Sequence, residues 1–132
     1  MQAESFENAE LSDSWIEGDD SARWRSTAGA VGEGSGSSLL EVPAGCRLPR
    51  HTDSAEETIV VVSGRASVTV GDEQGEVPAG GVALVPECVS HEVRNAGGEP
   101  LRFVALYANN DVVTTYEQPI QPSGDRESQP LE

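Results

Sequence analysis

Along the middle of this chain, short stretches of alternating apolar and polar residues recur between turns bearing glycine or proline. The clearest is Arg65 to Val70 (RASVTV), where every second residue is apolar, the period of a strand with one buried face. Leu39 to Val42, Glu57 to Val62, Val82 to Val85, Ser90 to Arg94 and Leu101 to Tyr107 predict further strands. Pro43-Ala44-Gly45, Ser63-Gly64, Gly71-Asp72, Val77 to Gly81, Pro86-Glu87-Cys88 and Asn95 to Pro100 predict the turns between them. Turn signals at intervals of roughly eight to twelve residues point to an all-β sandwich or barrel.

Outside that region the pattern weakens. Ser14-Trp15-Ile16 and Ala22 to Arg25 each predict a short strand, with Trp15 and Trp24 as packing residues. Gly29 to Ser38 (GAVGEGSGSS) reads as a flexible loop, too rich in glycine for a regular element. Three parts follow: residues 1–13 as a disordered acidic terminus, 14–117 as the β domain, and 118–132 (QPIQPSGDRESQPLE) as a disordered tail. A last strand is expected at Val112 to Tyr116.

Composition narrows the function. A chain of 132 residues is one domain with a modest core. Its formal charge of −15 argues against nucleic acid and against an anionic membrane surface as partners. No apolar run approaches the ~20 residues of a membrane helix, and the first ten residues lack the basic and apolar regions of a signal peptide. A cytoplasmic setting is therefore expected, with Cys46 and Cys88 as free thiols.

The chain has only two histidines, His51 and His91, each among turn residues in or beside a strand. Residues two apart on a strand share a face, so His51 and Asp53 project together, with Arg47 and Pro49 on their side if the strand is regular. Across the next turn Glu57 can face the same interior, followed by Ile59 and Val61, while Glu56 has the parity of a solvated residue. His91, Val93 and Asn95 make the matching face of another strand. Two imidazoles with one or two carboxylates form a shell for one divalent transition metal: iron first, with manganese, nickel or zinc as alternatives. Arg47 is either a clamp for a substrate carboxylate or a structural ion pair. Phe103 and Tyr107 share a face of the last long strand and are candidate substrate-binding walls, or else core. Asn95 ties down its loop, and Cys88 packs as a small turn residue.

With these residues in view, the sequence resembles a small single-domain cupin. The first cupin motif is a glycine, five residues, H-x-H, three or four residues, glutamate, six residues and glycine; Gly45, His51, Glu57 and Gly64 meet it, with Asp53 in place of the second histidine. The second is a glycine, five residues, P-x-G, two residues, histidine, three residues and asparagine; Gly80, Pro86, His91 and Asn95 meet it, with Cys88 in place of the middle glycine. The resemblance spans about Ser38 to Tyr107. It implies a six- to eight-stranded antiparallel barrel of the cupin (double-stranded β-helix, jelly-roll) type, often a homodimer, with a metal in the barrel mouth. The metal ligands it implies are His51, Asp53, Glu57 and His91, with Asp53 and Glu57 as the catalytic carboxylates; if the aspartate is too short to reach, His51, Glu57 and His91 remain as a two-histidine, one-carboxylate triad, the pattern of non-heme Fe(II) oxygenases. His51-x-Asp53 with His91 also resembles the H-x-D…H triad of 2-oxoglutarate oxygenases, with Arg102 as the cosubstrate arginine; the small domain and Glu57 favour the cupin.

The function expected is a mononuclear metal enzyme acting on a small organic molecule, an Fe(II)-type oxygenase in the first reading. One alternative keeps the metal without redox chemistry, as in polyketide cyclases, isomerases or epimerases. The other is a non-catalytic cupin that binds a small molecule or a metal.

Overall fold

The computed structural model describes residues 1–132 and is built of strands without a helix. They are β1 (Ser12–Ile16), β2 (Asp19–Val31), β3 (Gly36–Val42), β4 (Arg47–Asp53), β5 (Glu57–Ser63) and β6 (Arg65–Val70), followed by β7 (Glu73–Pro78), β8 (Val82–Val85), β9 (His91–Asn95), β10 (Leu101–Tyr107), β11 (Thr114–Ile120) and β12 (Asp125–Ser128). Hydrogen bonding runs in the order β7-β6-β9-β4-β2-β3-β10-β5-β8, with β1 on β2, β11 on β4 and β12 on β11. The pairs are antiparallel except for one parallel contact, Ala22 beside Arg47, which joins the two halves of a nearly closed barrel. No helix is long and apolar enough to cross a membrane.

Alternation fills the barrel. On β5 Ile59 and Val61 point inward, and on β10 Leu101, Phe103 and Ala105 meet them. The same parity brings Glu57 and Tyr107 inside as a cross-strand pair at the upper end of those strands. The barrel thus has a packed floor of Phe103, Val42, Ile59, Val61 and Val93, and a polar mouth above it.

Turns carry much of the specification. Gly64, the closing glycine of the first motif, has φ +81°, and a Cβ there would lie 2.9 Å from the Pro100 carbonyl oxygen. Both the left-handed backbone and the close approach demand glycine. Cys88 stands at φ +62°, the conformation for which the second motif ordinarily supplies glycine, and its N–H donates to the Asp53 carbonyl at 2.8 Å. Asn95 ties its loop as expected: its side chain donates to the carbonyls of Val42 and Glu99 and accepts from the N–H of Gly97.

Three segments differ from the sequence reading. The glycine-rich stretch from Gly29 to Ser38 is paired strand at both ends, in β2 and β3, with a short turn between them. One of its glycines serves close approach, since a Cβ on Gly36 would lie 2.5 Å from Leu131 Cδ1. Residues 118–132 form the end of β11 and all of β12, with Ile120 and Leu131 buried and with backbone hydrogen bonds between Gln121 and Trp15 and a bond from Ser38 Oγ to the Pro130 carbonyl tying the segment down. Residues 1–13 are tied at several points, including reciprocal hydrogen bonds between the Gln2 amide and the Val31 backbone.

Gly64→Ala is expected to lower the unfolding free energy by roughly 2 kcal/mol or more, from left-handed strain plus the clash. Thermal unfolding checks this, and an unchanged melting temperature would show that the turn is not under that constraint.

Candidate metal centre

Four strands deliver the site. His51 lies directly opposite His91 in the β4–β9 ladder and opposite Tyr116 in the β4–β11 ladder. Asp53, two residues on, faces the same way and pairs with Thr114. Glu57 opens β5 after the turn. All four predicted ligands are buried, and one donor atom from each lies within 4.8 Å of the others.

Both imidazoles are held from behind. Nδ1 of His51 lies 2.7 Å from the Pro49 carbonyl oxygen, and Nδ1 of His91 lies 2.8 Å from that of Val89. A carbonyl only accepts, so Nδ1 carries the proton in both rings and Nε2 faces the site. Nε2 of His91 lies 3.0 Å from Glu57 Oε1 and 3.2 Å from Asp53 Oδ2, and Nε2 of His51 lies 3.7 Å from Asp53 Oδ2.

Asp53 decides what the site wants. Its Oδ1 accepts a hydrogen bond from Thr114 Oγ1 at 2.6 Å, whereas its Oδ2 is buried without a hydrogen-bond partner. His91 is near enough to attract that oxygen, but its Nε2 is directed at Glu57. Leaving a buried polar atom unsatisfied costs roughly 1–3 kcal/mol, more when it is charged. A cation among these donors removes that cost, and two imidazoles with two carboxylates fit a divalent transition metal. The four residues form a group able to hold such an ion.

The electrostatics agree with that reading. Burial, followed by the neighbouring His91, pushes His51 down to about 4, so its Nε2 lone pair is free at neutral pH. Burial also works against charge on His91, but the Asp53 and Glu57 carboxylates outweigh it and hold the imidazole up to about 10. Burial raises Glu57 above the usual carboxyl range. Burial pushes Asp53 the same way, but the two histidines outweigh it and keep that carboxylate ionised. An empty site therefore carries a proton on His91 Nε2, where an ion would bind.

A cavity of about 240 Å³ opens beside His51, Asp53 and Glu57, small for a ligand pocket. Tyr107 lines it, with Trp24 and Tyr116 forming an aromatic wall. Phe103 does not reach it. That ring shares Tyr107's face but lies four residues deeper, about 13 Å along the strand, and is core.

Arg47 is also displaced from its expected place. The β4–β9 register slips between Leu48 and His51, so one extra residue enters β4 around Pro49, a proline at a bulge. The slip turns Leu48 and His51 inward together and leaves Arg47 on the opposite face. There it pairs with Asp19 at 2.7 Å and Glu92 at 2.8 Å and donates to Ser21 Oγ; it is a structural ion pair. Arg102 pairs with Glu41 at 2.8 Å and does not line the cavity, which removes the cosubstrate role. Thr114 and Tyr116 escaped the sequence reading, and Trp24 was read only as a packing residue. The one signal for the first two was a predicted strand near Val112 to Tyr116, with nothing to say that it lay beside His51.

The Cupin domain matches residues 38–107, more than half of the chain, and the protein belongs to that family. An uncharacterised protein of Streptomyces coelicolor is 34% identical over 70 residues, which cover 53% of this chain and 66% of that one, just short of two thirds. The cupin domain of Schizosaccharomyces pombe Cnp3 has a TM-score of 0.67 at 20% identity, over 80% of this chain and 72% of its own, a likeness of fold alone. An oxalate decarboxylase studied for proton-coupled electron transfer gives 0.62 at 25% identity, over 66% of this chain and 26% of its own. The Lactobacillus farciminis oxalate decarboxylase, in a formate complex, gives 0.63 at 20% identity, over 76% and 31%. The chain thus spans about a quarter to a third of the decarboxylases it matches.

Titrating the chelator-stripped protein with a divalent transition ion at pH 7 should saturate at one ion per chain and release at least one proton, that of His91. Because that proton is held up to about 10, affinity should rise with pH across the neutral range, by about tenfold per unit for each proton displaced. Calorimetry in buffers of different ionisation enthalpy measures both. Binding that is independent of pH, or undiminished in His51→Ala and His91→Ala, would contradict this donor set.

Proposed function

We propose that the protein is a mononuclear metal-dependent cupin enzyme acting on a small organic molecule, with Fe(II) as the ion and an oxygenase reaction as the activity. The observation that carries the metal reading is Asp53 Oδ2, buried and unpartnered among two imidazoles and a second carboxylate. Iron is the choice made on donor types: imidazole nitrogens with carboxylate oxygens suit Fe(II), and the set His51, Glu57 and His91 is that of the non-heme Fe(II) oxygenases with Asp53 added as a second carboxylate. When bound, such an ion supplies Lewis acidity and one-electron chemistry toward O2.

The chain's own residues do the rest. The Pro49 and Val89 carbonyls fix the two imidazoles in the tautomer that presents Nε2. Thr114 orients Asp53, leaving Oδ2 free to serve the ion. Glu57, lifted by burial, takes a proton more readily than Asp53 before an ion binds and gives it up to serve as a ligand. Tyr107 and Tyr116 keep their phenolic protons, since burial and then the nearby carboxylates raise them both, and they face the cavity as neutral donors.

One observation favours the second reading, a non-redox cyclase, isomerase or epimerase. The protonated phenols of Tyr107 and Tyr116 line the cavity beside the metal donors, where a proton can pass to or from a bound carbonyl compound without redox chemistry. Oxygen separates the two. Fe(II)-loaded protein offered small hydroxy and carbonyl compounds should consume O2 in proportion to product, as read by an oxygen electrode with product analysis. Turnover that proceeds unchanged in anaerobic buffer would overturn the oxygenase and leave the proton-transfer enzyme.

A further inference from the structure

Resting on the metal reading above, we infer that the substrate is an uncharged, oxygen-bearing molecule and that Asp53 is the residue that sets this preference. The cavity contains no arginine or lysine; its charged lining residues are the carboxylates Asp53, Glu57 and Glu132, and its one histidine, His51, is uncharged. The arginines around it are turned away or engaged elsewhere: Arg23 and Arg25 alternate with Trp24 on β2 and so take its other face, Arg25 pairing with Asp13 and Glu41, and Arg126 donates to the Tyr116 carbonyl. Arg47 is bound by Asp19 and Glu92, Arg102 by Glu41, and Arg50 by Ser90 and the Gly71 carbonyl. A carboxylate or phosphate on the substrate would find no counter-charge in the lining.

The metal offers little in its place. With Asp53 and Glu57 both ionised, a divalent ion in this site is formally neutralised, whereas a histidine at position 53 would leave one positive charge. The chain around it carries −15. An anion approaching the mouth therefore meets repulsion with no local reward.

What the cavity does offer is hydroxyls. Nine of its twenty lining residues carry one, among them Ser14 and Ser26 on β1 and β2, Ser38 on β3, and Tyr107. Hydroxyls donate and accept alike, which suits neutral alcohols, phenols and carbonyls. Trp24, Tyr116, Leu40 and Leu48 add apolar surface, so the fitting ligand has polar oxygens at one edge and a flat or aliphatic face at the other.

Glycolamide and glycolate test this, being nearly equal in size and differing by one charge. The full-length protein is loaded with Co(II), and uptake is measured first. Each compound is then titrated into wild type, Asp53→His and Asp53→Asn, with calorimetry and the visible Co(II) absorption as readouts. Wild type should bind glycolate no more tightly than glycolamide, and in the metal-loaded variants the ratio of glycolate to glycolamide affinity should rise about tenfold, whatever the substitution does to binding of each compound alone. Wild type that takes up no Co(II) would overturn the metal reading. Wild type that takes up one ion per chain yet binds glycolate tenfold more tightly than glycolamide would overturn this inference alone. Metal-loaded variants with unchanged selectivity would remove Asp53 as its determinant.

Discussion

Two imidazoles and two carboxylates buried within 4.8 Å of one another are the constraint on which the rest of this structure depends. Such a cluster is costly unless its charges balance and its polar atoms are paired. Most of the pairing is present. Carbonyls hold both Nδ1 atoms, Thr114 holds one oxygen of Asp53, and His91 meets Glu57. The remaining oxygen, Asp53 Oδ2, is the one left over, and it lies between the two imidazoles. A fully paired quartet would read as a structural network; one orphaned carboxylate oxygen between two presented nitrogens reads as a place for a cation.

The barrel makes this arrangement rigid. His51 and His91 are direct cross-strand partners, which brings their ring centroids to 4.1 Å, and Tyr116 stacks beside His51 from the other neighbouring strand. The turn at Cys88 is bonded to the backbone of Asp53, so the loop before His91 and the end of β4 are positioned together. All four donors lie on strands, His51 within β4, Asp53 at its last position, and Glu57 and His91 at the first positions of β5 and β9. Ligands placed on paired strands are held more closely than ligands on loops.

Much of this was legible in the chain. Period-2 alternation located the central strands, and the spacing of Gly45, His51, Glu57, Gly64, Gly80, His91 and Asn95 located the site, because those positions answer to strand parity and turn geometry. What failed did so for physical reasons. Alternation presumes a regular strand, so the bulge near Pro49 reversed the side assigned to Arg47. A shared face says nothing about depth, so Phe103 and Tyr107 looked equivalent although one lies in the floor and the other at the mouth. Glycine and proline content suggested loose ends where close backbone approach and two apolar anchors make strands, in β3 and β12. Tertiary neighbours such as Thr114 leave no local mark at all.

Asp53 and Cys88 depart from the family pattern, and the first bears on chemistry, since the barrel is common to many activities. The most direct test of the central claim is an anomalous-scattering map of crystals grown from protein purified without chelators, collected on either side of the iron edge. The account predicts a single peak bonded to His51 Nε2, His91 Nε2, Glu57 and Asp53 Oδ2. No peak from metal-replete protein, or a peak elsewhere while Asp53 Oδ2 is met by an ordered hydrogen-bond donor, would contradict it.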